Sequence, residues 1–200
     1  MAIKPPGLPS VPGRPAELQD CLWSRLRERH PDTCIVHRLD MPTSGLMVFA
    51  RGVDAQRILS AAFSARRVDK RYAAVVQGPW PHGEEGQIDL PIAADWPRRP
   101  RQRICALTGK ASTTRWQRRS RAEGRKVALL LQPVTGRTHQ LRLHLAAIGH
   151  PIVGDALYGE GPLQGGDRLM LHACELGFEH PRTGKAMRFQ CAAPFSLDSP

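Results

Sequence analysis

The sequence predicts an α+β fold built on a largely antiparallel β-sheet. Three observations predict it: strand-like segments outnumber helical ones, most of them lie in hairpins, and three segments carry apolar residues at helical spacing. No internal repeat and no domain linker is visible, and 200 residues suffice for a domain with its own core. We therefore expect one domain spanning residues 1–200.

The first third of the chain is expected to hold two helices and one strand after an extended segment rich in proline and glycine. Apolar spacing predicts a helix over residues 17–29, which Pro31 ends. The run GLMVFA predicts a short buried strand. A second helix is predicted over 53–67, with Asp54 as its N-cap and one apolar stripe made of Ile58, Leu59, Ala62 and Phe63.

Alternating residues then predict a strand in KRYAAVVQG, with Tyr72, Ala74 and Val76 on one face. A loop, PWPHGEEG, leads to another short strand in QIDLPI. We expect the segment ADWPRRPRQR to be a basic loop, because its prolines exclude regular structure.

The second half of the chain is expected to form two hairpins around a third helix. ASTTRWQRRS and VALLLQPV make the first hairpin, with AEGRK as its turn. A helix over 138–148 has Thr138 as its candidate cap and the apolar stripe Leu141, Leu145 and Ile148. RLMLHACELGFEH and AMRFQCAAP make the last hairpin, joined by PRTGK.

The net charge is the most informative feature of the composition. The chain holds 29 lysine and arginine residues against 18 acidic ones, which gives a formal net charge of +11 and a pI near 10.3. Only five of the 29 are lysine; the other 24 are arginines, whose planar guanidinium groups grip phosphate and stack on bases. A GC-rich genome would explain this ratio but not the excess over acids. The composition therefore indicates a nucleic-acid partner.

Other classes of protein are disfavoured. The five cysteines are scattered without a CxxC pair, the start of the chain lacks the apolar stretch of a signal peptide, and no apolar run approaches a membrane span. His139 and His144 lie five residues apart, so they do not share a helix face, and neither HExxH nor a nucleotide-binding glycine motif is present. We expect a reduced cytosolic protein without structural zinc, and the sequence favours neither a metal site nor a nucleotide cofactor.

A single carboxylate stands out in residues 37–46, HRLDMPTSGL, where Asp40 lies between Leu39 and Met41 at the start of an apolar strand. A buried carboxylate needs a cation, because a lone buried charge is very costly. Arg142, at the border of the apolar stripe of the third helix, is a candidate partner that itself needs an anion. By themselves these residues favour a structural ion pair over a working carboxylate.

Two further features leave alternatives open. Tyr72 follows two cations in its strand and either packs on the sheet or offers a ring against which a base can lie. The basic runs RRPRQR (98–103) and RWQRRSRAEGRK (115–126) have Trp96 and Trp116 nearby. Together with the net charge they favour phosphate contact over a plainly solvated surface, but they indicate no base specificity.

Taken together, these segments resemble the RluA family of RNA pseudouridine synthases. KPPGL is the first match, HRLDMPTSGLMVFA is similar to the catalytic-loop motif, KRYAAVVQG to the tyrosine motif and VTGRTHQLRLHLAAIGHPIVGDALYG to the arginine motif, with LMLHACELGFEHP after it. The resemblance runs in order over nearly the whole chain. DLPIAADWPRRPRQR followed by TGKASTT resembles the dual-specificity branch, which acts on position 32 of tRNA anticodon loops and position 746 of 23S rRNA.

The resemblance implies the pseudouridine synthase fold, in which a mixed, mostly antiparallel sheet with flanking helices and loops surrounds a central RNA-binding cleft. It implies a single catalytic domain without an S4-type RNA-binding domain. It also implies that no cofactor is needed, that stem-loops of tRNA, 23S rRNA or both are the substrates, and that the protein is a cytoplasmic monomer.

Residue roles follow from the same resemblance. Asp40 would be the nucleophile, which attacks the target uridine at C6 of the base or C1′ of the ribose. Arg142 would pair with Asp40 and keep it charged, and Tyr72 would stack on the flipped base. Arg38 would fill the gap that the flipped nucleotide leaves. The RNA backbone would be held by His37, Arg137 and the basic residues Arg98, Arg99, Arg101 and Arg103.

Three alternatives remain at this point. The chain could be a synthase of the same family for a different rRNA site, or an RNA-binding protein that kept the fold without the activity. It could also be a glycosidase-like hydrolase that uses Asp40, which would need a second carboxylate as its acid. Asp155, in GDALYG, is the candidate for that acid, although its turn context predicts a structural cap.

Overall fold

The computed structural model describes residues 1–119, 126–159 and 167–197, and the chain forms two compact units. The first unit comprises Met1–Lys70 and Ala173–Ala193, and the second comprises Arg71–His172 with the residues from Pro194 onward. Within these described ranges no helix has both the length and the apolar character needed to cross a bilayer. The single catalytic domain expected from the sequence stays a prediction.

The described residues contain three α-helices and twelve strands. The helices are α1 Leu22–Arg29, α2 Val53–Ser64 and α3 Gln140–Ala147. The strands up to the middle of the chain are β1 Ala2–Lys4, β2 Thr33–Ile35, β3 Ser44–Met47, β4 Phe49–Arg51, β5 Asp69–Gln77 and β6 Glu85–Asp89. The later strands are β7 Ile92–Ala94, β8 Gln102–Ile104, β9 Thr113–Arg118, β10 Lys126–Pro133, β11 Leu171–Glu179 and β12 Ala186–Gln190.

In the first unit four strands lie side by side in the order β1, β3, β11, β12, and β2 pairs separately with β4. β1 pairs antiparallel with β3, β11 with β12, and β2 with β4, with Ala2 opposite Met47 and Leu176 opposite Phe189. α2 contributes Leu59 to the core of this unit. That core is a cluster of buried aliphatic side chains, namely Leu46, Val48, Ala50, Leu59, Val68 and Leu176.

In the second unit the strands β5, β10, β9 and β6 form an antiparallel sheet in that order, and β7 pairs with β8. β10 is an inner strand and reads as a nearly continuous apolar run, as expected for a strand whose two faces are both buried. The core on one face combines the helix residues Leu141 and Leu145 with sheet residues such as Leu129 and Leu131. This is the stripe that the sequence predicted for the third helix.

The α+β class and the largely antiparallel pairing are confirmed, as are both hairpins. Residues 120–125, which hold part of the second basic run and all of the turn AEGRK except Lys126, lie outside the described residues. The first predicted helix is too long. α1 begins only at Leu22, because Cys21 is its N-cap and forms a reciprocal capping box with Ser24. Residues Ala16–Leu18 form a separate 3₁₀ turn.

Both predicted caps are wrong. α2 starts directly after Gly52, so Asp54 lies inside the first turn, where it makes no side-chain cap. Ile58 is 49% exposed, because the helix buries the face that carries Leu59 instead. α3 begins at Gln140 after His139, which has the left-handed φ of 55°, and Thr138 lies outside the helix.

The segment expected to be a basic loop also holds regular structure. Residues Gln102–Ile104 form β8 against β7, and Trp96–Arg98 form one 3₁₀ turn. The two prolines of the segment, Pro97 and Pro100, lie between the paired strands and therefore remove no hydrogen bond from them.

Gly45 occupies a position in β3 that only glycine fits. Its φ is +116°, and a Cβ built there would overlap the backbone N, C and O atoms of Ala173 in the adjacent strand β11. Gly52 also has a positive φ, +84°, but a Cβ there would meet no atom within 4 Å. An alanine in place of Gly45 would therefore meet both a steric clash and backbone strain, whereas an alanine in place of Gly52 would meet backbone strain alone.

We expect Gly45→Ala to lower the free energy of unfolding by about 3 kcal/mol or more, because it adds a clash with fixed backbone to the conformational strain. The matched control Gly52→Ala should lower it by only about 1 kcal/mol, since strain alone remains. Urea unfolding of the two variants measures both quantities. Equal losses would mean that the close approach to Ala173 has no energetic weight.

Candidate active site

The predicted nucleophile Asp40 is half-buried in the irregular segment between β2 and β3. The residue before it is fixed by one hydroxyl: Ser10 Oγ donates to the carbonyl of Leu39 at 2.7 Å, and the Leu39 N–H donates to Ser10 Oγ at 3.0 Å. The carbonyl of Asp40 itself accepts from the N–H of Thr43, which closes a turn. The peptide on the N-terminal side of Asp40 is thus tied to the start of the chain.

The residue after Asp40 is tied to the same segment. The Lys4 side chain is fully buried, and its ammonium group donates to the carbonyls of Pro5, Leu8 and Met41 at 2.7–2.9 Å. The Met41 carbonyl also accepts from the N–H of Gly7 at 2.9 Å. Three carbonyls match the three donors of an ammonium group. The motif KPPGL therefore holds the backbone beside Asp40.

His37 is a neutral, packed histidine. Its Nε2 accepts the N–H of Val48 at 3.1 Å, and its ring stacks on Phe63 with 4.5 Å between centroids. Burial, reinforced by the nearby charge of Lys70, lowers the pKa of His37 to about 3. A contact of His37 with phosphate, as expected from the sequence, would have to use the neutral ring.

Arg38, next to it, is exposed and forms no hydrogen bond or ion pair with any described residue. A guanidinium group in this position keeps all of its donors for a ligand. The role expected for Arg38 on the RNA stays a prediction.

In the second unit, Arg142 lies on α3 and forms a buried, two-pronged ion pair with Asp155. Arg142 Nε and Nη2 each donate to one carboxylate oxygen at 2.7 Å, and the two side chains are only 3% and 0% exposed. The sequence correctly predicted that Arg142 lies at the edge of a buried apolar stripe and that its guanidinium group needs an anion there. It did not identify Asp155 as an anion that meets this need.

Asp155 also holds the turn after it, as the sequence predicted. Its Oδ1 accepts from the N–H groups of Leu157 and Tyr158 at 2.9 and 3.1 Å. Burial by itself would raise the pKa of Asp155, but the hydrogen bonds and charge of Arg142, with those two amides, hold the pKa below its ordinary value. Asp155 is therefore an ionised carboxylate and has no proton to donate.

Tyr158 connects this ion pair to the basic hairpin formed by β7 and β8. The guanidinium carbon of Arg142 lies 5.4 Å from its ring centroid, and that of Arg101 lies 5.6 Å from it. Its hydroxyl accepts from the N–H of Gln102 at 2.8 Å and shares a hydrogen bond of 2.9 Å with His139 Nδ1. Sequence reasoning missed Tyr158, although GDALYG placed it three residues after Asp155.

The start of α3 is fixed by a buried glutamine instead of a cap. Gln140 Oε1 accepts from Thr135 Oγ1 and from the N–H of Arg137, and its Nε2 donates to the carbonyl of Thr113. One turn later His144 donates from Nε2 to the carbonyl of Leu90, and burial lowers the pKa of His144. These contacts fix the rotation of the helix and thereby the direction in which Arg142 leaves it.

The remaining predicted residues also belong to the second unit. Tyr72 is half-buried in β5, opposite Leu131, and packs against the core of that unit. The side chains expected to hold RNA are mostly exposed: Arg98 is bonded to Asp95, Arg99 lies over Trp96, and Arg137 reaches the carbonyl of Ala111. Arg103 is exposed, and Arg101 is half-buried.

The predicted residues thus divide between the units: His37, Arg38 and Asp40 belong to the first, and Tyr72, Arg142 and the basic hairpin belong to the second. The expected pair of Asp40 with Arg142 stays a prediction. Within the ranges that the structure describes, no group of three or more histidine, cysteine, aspartate or glutamate side chains could hold a metal ion.

Known proteins similar to this chain share one description. A family model for RNA pseudouridylate synthases matches residues 1–147. A Vibrio parahaemolyticus protein named dual-specificity RNA pseudouridine synthase RluA is 50% identical over 187 residues, which cover 90% of this chain and 74% of that protein. The Escherichia coli K12 protein of the same name is 43% identical over 193 residues, covering 96% and 88% of the two chains.

Solved structures agree. Human RNA Pseudouridylate Synthase Domain Containing 1 superposes with a TM-score of 0.75 at 30% identity, over 96% of this chain and 86% of that one. Human RNA Pseudouridylate Synthase Domain Containing 4 reaches a TM-score of 0.72 over 96% and 84% of the chains. At 24% identity the second likeness concerns the fold alone.

We expect Asp155→Ala to lower the free energy of unfolding by about 3–5 kcal/mol, because it leaves the buried guanidinium of Arg142 without its carboxylate. The double variant Arg142→Met with Asp155→Leu should lose less than Asp155→Ala, since it buries no charge. The control Asp20→Ala, which breaks an exposed pair with Arg25, should leave the urea midpoint nearly unchanged. If Asp155→Ala were as mild as Asp20→Ala, the pair would not stabilise the fold.

His37 should make the protein less stable in mild acid. Its pKa in the fold is about 3, below its ordinary value of 6.5, so the unfolded chain takes up a proton that the folded chain refuses. The contribution of His37 is therefore present above pH 6.5 and is lost as the pH falls toward 3. Between pH 6.5 and 4.5 wild type should lose about 2–3 kcal/mol more than His37→Gln, which keeps an acceptor but cannot titrate. Parallel pH profiles of the two proteins would contradict this.

Proposed function

Because this chain belongs to the RluA family of RNA pseudouridine synthases, we propose that it isomerises specific uridines in stem-loops of tRNA, 23S rRNA or both. Position 32 of the tRNA anticodon loop and position 746 of 23S rRNA are the proposed sites, since the related proteins named above are dual-specificity enzymes. The observation that carries the proposal is the half-buried Asp40, whose two flanking residues are both held by the segment Lys4–Ser10.

In the proposed reaction the Asp40 carboxylate attacks the target uridine at C6 of the base or at C1′ of the ribose. The bond between N1 and C1′ breaks, the uracil turns over, and C5 bonds to C1′. The C5 proton leaves, N1 gains a proton, and the carboxylate is released unchanged. Since no atom is oxidised, reduced or added, the reaction requires no cofactor. The fixed backbone on either side of Asp40 supports this role, because a nucleophile gains rate from being held in one geometry.

We assign to Arg142 the role of keeping Asp40 charged and oriented. The pair with Asp155 uses Arg142 Nε and Nη2, and the proposal assigns the third nitrogen, Nη1, to Asp40. A guanidinium group has five N–H donors in a rigid plane, so one carboxylate can fix that plane while another is bound. Asp155 is then a positioning residue for Arg142.

Tyr72 and Arg38 act on the nucleotide in this scheme. Tyr72 offers a ring against which the flipped base stacks, and Arg38 occupies the gap in the RNA. The exposure of Arg38, with no described partner, supports that role. Arg137 and the arginines of the basic hairpin contact phosphates, and His37 contributes by packing and by its neutral ring.

Two alternatives are less well supported. A hydrolase would need Asp155 as its acid, but this carboxylate is buried, ionised and bonded to Arg142, so it has no proton to donate. A non-catalytic RNA-binding protein would not need the backbone beside Asp40 to be held by a buried lysine. A synthase of the same family for a different rRNA site remains the second candidate.

We also propose that the protein works in the cytoplasm as a monomer. All five cysteines are free thiols in the structure, as expected for a protein kept in a reducing compartment, and the proposed RNA substrates are made there. The monomeric state is a prediction that light scattering or sedimentation of the purified chain can check.

Tritium release from transcripts that carry 5-tritiated uridine tests the proposed function. Wild type should release tritium from a tRNA anticodon stem-loop, the 23S rRNA hairpin or both, and Asp40→Asn should lower the rate by about a thousandfold or more, because an amide cannot act as the nucleophile. The control Asp54→Asn, at an exposed carboxylate on α2, should react like wild type. Arg142→Ala should be nearly as damaging as Asp40→Asn.

Each outcome decides one point. If wild type releases no tritium from any transcript, the proposed activity is wrong. If Asp40→Asn keeps full activity, the nucleophile is wrong while the activity stands. If Arg142→Ala stays folded by urea unfolding and keeps wild-type rates, the assignment of Arg142 to Asp40 is wrong. Mapping of modified sites in cellular RNA then identifies the substrate.

A further inference from the structure

Trp96 is an exposed tryptophan in the segment between β7 and β8, with 67% of its surface accessible. The other three tryptophans have structural roles. Trp80 and Trp116 are buried and pack edge to face in the core of the second unit, and Trp23 donates its Nε1–H to the carbonyl of Thr33. A flat aromatic face that solvent can reach is one on which a nucleobase can stack.

An arginine already lies on this ring. The guanidinium carbon of Arg99 is 3.4 Å from the Trp96 ring centroid, a distance typical of a guanidinium plane stacked on an indole. Arg99 is itself exposed, and Arg98 beside it is bonded to the carboxylate of Asp95 at 2.8 Å. We call Trp96 and Arg99 together the Trp96 platform.

The segment that carries the Trp96 platform is held in place by hydrogen bonds on both sides. Asp95, just before it, is buried; its N–H donates to the carbonyl of Arg101, and the two strands on either side are paired. β8 is fastened further by the bond from the Gln102 N–H to the Tyr158 hydroxyl. The same Tyr158 ring lies against Arg142, so the platform and this proposed catalytic arginine are parts of one packed network in the second unit.

The chemistry around the ring indicates which partner fits. Three more guanidinium groups, those of Arg98, Arg101 and Arg103, surround the platform along the chain, in a protein of net charge +11. A protein-docking site would need a contiguous apolar patch, whereas this is one flat ring among cations. A ring with phosphate-binding groups beside it suits an unpaired base together with its backbone.

We propose that the Trp96 platform is a second base-binding site, which stacks one unpaired nucleotide of the substrate loop outside the pocket for the target uridine. The proposal rests on the proposed function and deepens it, because it makes loop structure a determinant of substrate choice. The base stacks on the Trp96 ring, either on its open face or in place of Arg99. The displaced or neighbouring guanidinium then meets the phosphate. Duplex RNA offers no such base, so it gains nothing from the platform.

RNA binding at equilibrium tests this proposal, measured in an Asp40→Asn background so that no turnover occurs. Trp96→Ala should weaken binding of the tRNA anticodon stem-loop and of the 23S rRNA hairpin by about 5- to 100-fold, the range expected for one stacked base. Trp96→Tyr should retain most of the affinity, because it keeps an aromatic face. Both variants should bind a blunt RNA duplex of the same length as the stem-loop with unchanged affinity, measured at the same salt concentration.

Trp23→Ala is the matched control, because Trp23 also carries an arginine, Arg27, over its ring at 4.8 Å but belongs to the first unit. It should leave stem-loop affinity unchanged. In a second readout, intrinsic tryptophan fluorescence should be quenched when the stem-loop binds, and most of that quenching should be absent in Trp96→Phe. Urea midpoints of the Trp96 variants should match that of the parent protein, since the ring is exposed.

The proposal is overturned if Trp96→Ala binds the stem-loops as tightly as its parent, or if it loses affinity for stem-loop and duplex alike. It is also overturned if Trp96→Tyr is as weak as Trp96→Ala. These outcomes are separate from failure of the proposed function. If wild type isomerises uridine but Trp96→Ala binds the stem-loops normally, only the proposal of the Trp96 platform is rejected. If wild type releases no tritium, the proposed activity is rejected, whatever the binding measurements show.

Discussion

The buried ion pair between Arg142 and Asp155 is the interaction on which the second unit depends. Neither charge could remain buried without the other, so α3 and the turn after Asp155 must be built together. Because the carboxylate also binds two amides of that turn, it places Tyr158 against Arg142. Tyr158 in turn fastens β8 and, through it, the basic hairpin. The orientation of the predicted catalytic arginine and that of the predicted RNA-binding surface therefore follow from one carboxylate.

The first unit also contains a buried cation, Lys4. Lys4 is as deeply buried as Arg142, but its ammonium group is surrounded by backbone carbonyls, one of them beside Asp40. These three bonds join the start of the chain to the residue after Asp40, so Lys4 helps to set the backbone geometry of the loop that carries Asp40.

Periodic features were predictable from the sequence, and specific pairings were not. The stripe through Leu141 and Leu145 correctly placed α3 against the sheet and Arg142 at its buried edge, because helical spacing decides which side chains face inward. The stripe could not say which anion Arg142 would meet, since Asp155 lies thirteen residues later in an irregular turn. Two helix starts were predicted wrongly for different reasons. α1 begins at a local capping box formed with Ser24 by Cys21, which is an uncommon N-cap residue, whereas Gln140 depends on a bond to Thr113 in a distant strand. The sequence also does not show that His37 accepts the N–H of Val48 and stacks on Phe63, and its expected contact with the RNA backbone stays a prediction.

The close approach of Gly45 to β11 has a consequence for how motifs of this kind should be interpreted. Within HRLDMPTSGL, Asp40 is the proposed reagent, but the glycine is required by the spacing of two strands, whatever reaction the loop performs. Selection for folding alone would preserve that glycine in a descendant that had lost its carboxylate and its activity. Such a descendant would still match most of the motif. In searches for functional members of the family, the aspartate should therefore be weighed separately from the letters around it, since part of the pattern records architecture rather than catalysis.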